Sequence, residues 1–369
     1  MRTTDVRVRR AVTAVAVGRP VVVTDDTAHE GHLVFAADAA TPRLVAFTVR
    51  HTSGYVRVAL PGTECERLNL PPMCHRDDDG VGAAANRVSV DFRGTGTGIS
   101  ATDRARTIAA LASAGSDASD FLRPGHVVPL QAGPDGVLGR RGPAEAAVDL
   151  ACLAGRRRAA ALCEIVSRRN PAQMARGVEL VEFAVEHGLA VVSITELVAY
   201  RQRTEPQVVR LAETILPTWT GDSRVIGFRD AHDGGGEYLA VITGAADAGV
   251  PVPLHVHIEC LTGDVFGSTA CRCGGELRSA LTRMSAQGSG VVVYLRPSGP
   301  PRACGLFARG DAAVGDPMSE TVAWILRDLG VYALKLSDDM PGFGLVMFGA
   351  IREHGIGALQ QASAWAVAG

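Results

Sequence analysis

No stretch of this 369-residue chain reaches the ~18 consecutive apolar residues that a bilayer-spanning helix requires. An excess of charge of one sign is also missing. The 37 basic and 39 acidic residues leave a net charge of -2, which gives no basis for a nucleic-acid or membrane partner. The run Arg156-Arg157-Arg158 reads as a solvated face. The start, MRTTDVRVRRAV, is basic, but the apolar residues after it are broken by Thr13, Gly18 and Pro20. A signal peptide needs a continuous apolar region, so none is expected. No short internal repeat is present. A disulfide framework is not expected either: the eight cysteines are unevenly placed in a large chain, with one tight cluster. That distribution suits reduced thiols plus a metal site, and a cytoplasmic protein.

What is present is a folded globular composition, 47% hydrophobic with Gly and Pro spread along the length. The chain is long for a single core, so two domains are expected. VVVTDD reads as a buried strand entering an acidic loop, and HLVFAADAATPRLVAFTVRHTSG as strand then helix. The Gly- and Thr-rich loop DFRGTGTGIS precedes the helical spacing of ATDRARTIAALAS. PAEAAVDLACLAG is a helix stopped by Gly155, AALCEIV a strand, GVELVEFAVEHG a helix, and LAVVSITELVAYR a strand then a helix. The polar stretch Gln202–Val209 is the candidate linker. Beyond it, YLAVITG and GVVVYLRPSG are strands, GGELRSALTRMSAQG is a helix, and MSETVAWILRDLGVYALKL is a helix then a strand. Alternating strands and helices in both halves predict a mixed α/β protein in two units.

The chemistry is concentrated in HIECLTGDVFGSTACRCGGEL, where Cys260, Cys271 and Cys273 are spaced C-x10-C-x-C. This gives three thiolates with no obvious fourth ligand. Structural zinc takes four protein ligands, whereas catalytic zinc keeps one position for water or substrate. The spacing alone leaves three readings open: an open zinc, an incomplete structural one, or three neighbouring buried thiols.

The first half resembles 3,4-dihydroxy-2-butanone 4-phosphate synthase, through EGHLVFAADAATPRLVAFTVRHTSGYV, TGISATDRARTIAAL, DFLRPGHVVPL, GVLGRRGPAEAAVDLACLAG and EHGLAVVSITELVAYR. The second half resembles GTP cyclohydrolase II, through ECLTGD followed by CxC, YLR and ILRDLGV. The resemblance implies a fusion of residues 1–203 and 209–369 that supplies both starting units of riboflavin synthesis. It also implies zinc on Cys260, Cys271 and Cys273 in the second domain, and Mg2+ chemistry on ribulose 5-phosphate in the first. The implied substrate-binding set is Arg140, Arg104, Thr95, Thr97, Thr107 and Glu145, with Glu164 as the catalytic acid or base. Arginine and hydroxyl groups near a helix start suit a phosphate dianion; capping and ion pairing is the alternative for the same residues. The implied partners are a small phosphorylated ligand, sugar phosphate or purine nucleotide, and a second copy of the chain.

The departures from the family pattern are specific. In the first half, Asp25, Asp26 and Glu30 remain, but the loop TAHEGHL is two residues shorter than the family's and lacks its metal-binding Glu and adjacent Arg. Pro143 and Ala144 stand where a metal-binding His and a Thr belong, and Arg57 replaces the usual Cys. The region around DDDGVGAAANR replaces a further family motif. His29, Glu30 and His32 could form a different metal site, or simply a solvated loop. In the second half His255 replaces an Arg, and Pro297-Ser298-Gly299-Pro300 replaces the purine-recognising run. Gly315, Pro317 and Ser319 fall where an Asp, an Arg and a Tyr belong, and Asp338 and Asp339 enter the phosphate loop. The expectation is a divergent member with one or both activities lost or altered, or a non-catalytic zinc-containing binding or regulatory subunit.

Overall fold

The computed structural model describes residues 3–73, 86–232, 235–244, 250–306, 316–336 and 344–360. The chain divides into two compact units, Met1–Arg201 and Gln202–Gly369. Both are mixed α/β, as the alternating pattern predicts.

In chain order the first unit contains α1 (Thr3–Ala16), β1 (Val21–Thr24), β2 (Gly31–Ala36), α2 (Pro42–His51), β3 (Arg57–Pro61), α3 (Gly62–Arg67), β4 (Val90–Phe92), α4 (Ala101–Leu111), β5 (Phe121–Ala132), α5 (Pro143–Leu153), β6 (Ala160–Glu164), α6 (Val178–His187), β7 (Ala190–Ser193) and α7 (Ile194–Thr204). Its seven strands lie in the order β4-β5-β3-β6-β2-β1-β7. Successive side chains of a strand point to opposite faces, so both faces are buried. Val21, Val34, Ala36, Ala160 and Leu162 pack with α1, α5 and α7. Phe35, Val58, Leu60, Ala161 and Cys163 pack with α2 and α4, while Val22 and Leu33 meet α6. The basic N-terminal segment is helical because Val8, Ala11 and Val15, on one face, seat in this core. Helix α4 starts where the Ser100 side chain accepts from Asp103 N, and α6 ends on Gly188 at φ 62°.

The second unit contains β8 (Val208–Thr218), β9 (Gly221–Asp230), β10 (Glu237–Gly244), β11 (Val252–Ile258), α8 (Cys273–Gln287), β12 (Ser289–Arg296), α9 (Asp316–Asp328), β13 (Ala333–Leu336), α10 (Gly344–Glu353) and β14 (Gly357–Gln360). Strand order is β14-β13-β11-β12-β10-β9-β8. The four strands β12, β11, β13 and β14 are mutually parallel, and the remainder is antiparallel. Val291, Val293 and Leu295 of β12 pack with Val322, Ile325 and Leu326 of α9 and Met347 and Ile351 of α10. Helix α8 lies on the other face, where a Cβ on Gly290 would come within 2.3 Å of Met284.

The linker is shorter than expected. α7 continues to Thr204 and β8 begins at Val208, because the helical and strand patterns run into the polar stretch from both sides. The β8–β9 hairpin and β11 are further elements that the sequence reading did not pick out.

Candidate functional site

Cys260 follows β11, and Cys273 opens α8. Between them the chain makes a π-type turn, Leu261–Val265, whose N-terminal residue is Cys260. Two glycines allow this turn to lie on the start of α8. A Cβ on Gly274 would come within 2.1 Å of Gly263 O, and one on Gly263 within 3.0 Å of Cys271 Sγ. Asp264 anchors the turn. Its carboxylate accepts from Cys260 N at 2.8 Å and from Tyr294 Oη at 2.9 Å, and it lies 3.0 Å from His257 Nε2. His257 also stacks on Tyr294, with ring centroids 5.3 Å apart. The Asp264–His257–Tyr294 group therefore fixes the backbone that carries the first cysteine.

The structure brings the three predicted cysteines together and adds Cys304. The four Sγ atoms lie within 4.8 Å of one another. Cys260 and Cys271 are 3.8 Å apart, and Cys273 and Cys304 are 3.9 Å apart. Zinc–sulfur bonds of ~2.3 Å in a tetrahedron set sulfur–sulfur edges of ~3.8 Å, so the donor set fits zinc. Burial opposes the charged form of Cys260, but hydrogen bonds from Thr262, Cys304 and Gly263 outweigh it and bring this thiol down to about 6. Burial and the neighbouring Cys271 push Cys273 the other way. Four thiols this close cannot all ionise unless a cation neutralises them. Sequence reasoning missed Cys304 because it lies 31 residues beyond Cys273, after β12. Its only signal was being a further cysteine in the same half.

Beside the cluster is a cavity of about 800 Å3, lined by His255, Cys271, Arg272, Arg278 and Arg283 among others. His255 is 8% exposed, and its Nε2 has no hydrogen-bond partner. Burial, then His257 and Arg283, holds its pKa down at about 4. The run Pro297–Pro300 is exposed after β12, and Ser319 is fully buried in α9. Gly315, Asp338 and Asp339 lie outside the described residues, as do residues 74–85 of the first unit; Pro317 is described in backbone only.

In the first unit the predicted ligand residues fall at two ends of the sheet. β3 and β6 are antiparallel, so Arg57 and Glu164 meet at one end. There Glu164 is bound by the Arg57 guanidinium and accepts from Ser53 Oγ at 3.2 Å, with His32 Nε2 at 3.9 Å. Burial keeps His32 below the ordinary histidine pKa despite Glu164. Arg104 reaches the same neighbourhood, donating to Gly54 O at 3.1 Å. Arg140 and Glu145 follow the opposite end of β3, beyond Ala132 of the parallel strand β5. The buried Glu145 carboxylate accepts from Arg140 Nε and Gly133 N, both at 2.8 Å. Thr107 is fully buried and accepts from Phe92 N. Thr95 donates to Phe92 O, and Thr97 is exposed. Thr95 and Thr107 thus brace the chain before α4, whereas Arg140 and Thr97 present polar groups to solvent.

The carboxylates left for a divalent cation do not converge on one point with other metal-type ligands among the described residues. Asp25 accepts from Thr27 N and Ala28 N, Asp26 from Thr195 N, and Glu30 pairs with Arg176. His29 is exposed while His32 is buried. Among the described residues, the only set of three or more metal-type ligands that converges is the cysteine cluster.

Residues 9–200 match the family model of 3,4-dihydroxy-2-butanone 4-phosphate synthase, and residues 209–323 that of GTP cyclohydrolase II. A riboflavin biosynthesis protein RibBA from Nocardia farcinica is 44% identical, covering 92% of this chain and 88% of that protein. One from Rhodococcus erythropolis is 45% identical over 92% and 87%. Among solved structures, RibBX from A. baumannii, a two domain 3,4-dihydroxy-2-butanone 4-phosphate synthase, is similar with TM-score 0.71. It is 30% identical, covering 97% of this chain and 100% of that one.

Proposed function

The chain belongs to the two-domain riboflavin biosynthesis family, a 3,4-dihydroxy-2-butanone 4-phosphate synthase domain followed by a GTP cyclohydrolase II domain, and from that premise we propose that it is a divergent member with one or both of its reactions lost or altered. It keeps a small phosphorylated ligand in the first domain and zinc on Cys260, Cys271 and Cys273 in the second. The observation that carries this reading is the Arg57–Glu164 ion pair. A guanidinium holds the carboxylate that the resemblance casts as catalytic, at a place where the family's chemistry calls for a mobile proton and a divalent cation.

The second domain supports the same reading. Zinc with an open position supplies hydroxide at neutral pH, but attack on a bound nucleotide also needs groups that hold the purine and the phosphates. His255, Pro297, Ser298 and Ser319 replace such groups. Losing one group that stabilises developing charge costs a factor of ~10^2 to 10^3, and each domain has lost several. A homodimer is part of the proposal. Exposed Val178, Val181 and Val185 lie on one face of α6 and offer it an apolar surface.

The competing reading is a working riboflavin-pathway enzyme, favoured by the name RibBA on relatives 44% and 45% identical over nine-tenths of the chain. Both family reactions release formate, so one assay separates the two. Pure protein is incubated with GTP, and separately with ribulose 5-phosphate and Mg2+. Formate release at ordinary steady-state rates from both substrates establishes the working enzyme; its absence from one or both supports the divergent reading.

A further inference from the structure

We propose that Cys304 is the fourth zinc ligand, and that the second domain therefore carries a closed, structural zinc centre of four cysteines. The proposal rests on the reading that zinc is bound there, and goes beyond it in assigning the fourth position to the protein instead of to water.

Three observations carry it. Two sulfur–sulfur edges have the length of a coordination tetrahedron, and all four sulfurs lie within 4.8 Å of one another. Cys304 closes the set with its Sγ 3.9 Å from Cys273, matching the 3.8 Å of the Cys260–Cys271 edge and the ~3.8 Å that ~2.3 Å zinc–sulfur bonds require. The loop holding Cys304 is also built onto the turn holding Cys260. Leu261 N donates to Arg302 O at 2.8 Å, and Thr262 Oγ1 donates to Cys304 O at 3.1 Å. Ala303, between those two acceptors, is 1% exposed, which fixes the loop by packing as well. Finally, the supporting contacts extend outward, as around metal sites generally: Asp264 holds the Cys260 backbone and is itself held by His257 and Tyr294.

A metal with four thiolates has no site for a water and no position at which a substrate oxygen can bind. The loop after β12, which the resemblance assigns to purine recognition, here supplies a ligand that ties β11, α8 and β12 together. Zinc then acts as a staple, and its binding free energy becomes folding free energy of this unit.

The test uses the full-length protein. Elemental analysis first establishes zinc content; zinc-free protein purified without chelator would overturn the zinc reading and this assignment together. On zinc-loaded protein, X-ray absorption should count four sulfur neighbours in wild type and three sulfurs plus one lighter atom in Cys304→Ala. Three sulfurs and one lighter atom already in wild type would overturn the Cys304 assignment while leaving zinc in place. If Cys304→Ala does not fold, cobalt-substituted wild type decides: its absorption should be that of a four-thiolate tetrahedral ion and should not change on adding GTP. A spectrum shifted by GTP would show an exchangeable position and sink the closed site.

Discussion

The guanidinium of Arg57 donates to the carboxylate of Glu164, joining the first residue of β3 to the last of β6. Both side chains are largely buried, 15% and 21% exposed, and Ser53 and His32 surround the pair. An ion pair in such a place is more costly to break than to have omitted, because a lone partner stays buried and charged. Arg57→Ala should therefore destabilise the first unit by about 2 kcal/mol, as expected for a hydrogen bond to a charged, partly exposed carboxylate. Arg57→Ala with Glu164→Ala should cost less than the sum of the single changes. Additive costs in denaturant titration would show that the two do not interact.

The same pair should make the first unit indifferent to Mg2+. Asp25, Asp26 and Glu30 already hold backbone amides or Arg176. Calorimetric titration of millimolar Mg2+ into wild type is expected to give no binding heat and no change in melting temperature. A clear stoichiometric isotherm would mean these carboxylates rearrange around a cation.

The two arginines of the expected ligand set should part company. Arg140 is 43% exposed beyond its contact with Glu145, so Arg140→Ala should weaken ribulose 5-phosphate binding several-fold, in a salt-sensitive manner. Arg104 is 7% exposed and donates to the Gly54 carbonyl. Arg104→Ala should lower stability by about 1–3 kcal/mol. Equal binding in wild type and Arg140→Ala would confine Arg140 to supporting Glu145.

Adjacent glycines at the start of α8 should respond in opposite ways. A Cβ at Gly274 would sit 2.1 Å from Gly263 O, a backbone atom, whereas one at Gly275 meets nothing within 4 Å. Gly274→Ala should displace the Cys260 turn and lower the zinc content of purified protein. Gly275→Ala should keep full zinc and gain up to ~1 kcal/mol from helix propensity. The reverse order would mean the turn does not lie where the glycines place it.

His255 should make the second unit acid-sensitive. Its folded pKa of about 4 lies below the ordinary 6.5, so the unfolded state binds the proton more readily. The associated stability is fully present above pH 6.5 and is lost as pH falls towards 4, by at most roughly 3 kcal/mol. His255→Gln, which cannot titrate, should flatten the stability profile in that window. An unchanged slope would assign the acid sensitivity elsewhere.

Much of this protein could be read from its sequence. Apolar alternation and helical spacing placed β1, β2, β6, β10, β12 and most helices, because burying one face of an element forces a period on its residues. The motif ECLTGD with CxC marked three cysteines, because ligands on one turn and one helix start must be close in sequence. The closing contacts were decided only in three dimensions. Cys304 joins the cluster because Arg302 and Cys304 carbonyls meet the Leu261–Thr262 turn, a juxtaposition made by the parallel pairing of β11 with β12. Arg57 reaches Glu164 through the antiparallel register of β3 and β6, 107 residues apart in the chain. Local sequence records which elements form, through short-range sterics and periodic burial. Which side chains face one another across a sheet is set by strand order and register, and those emerge only when the whole core packs.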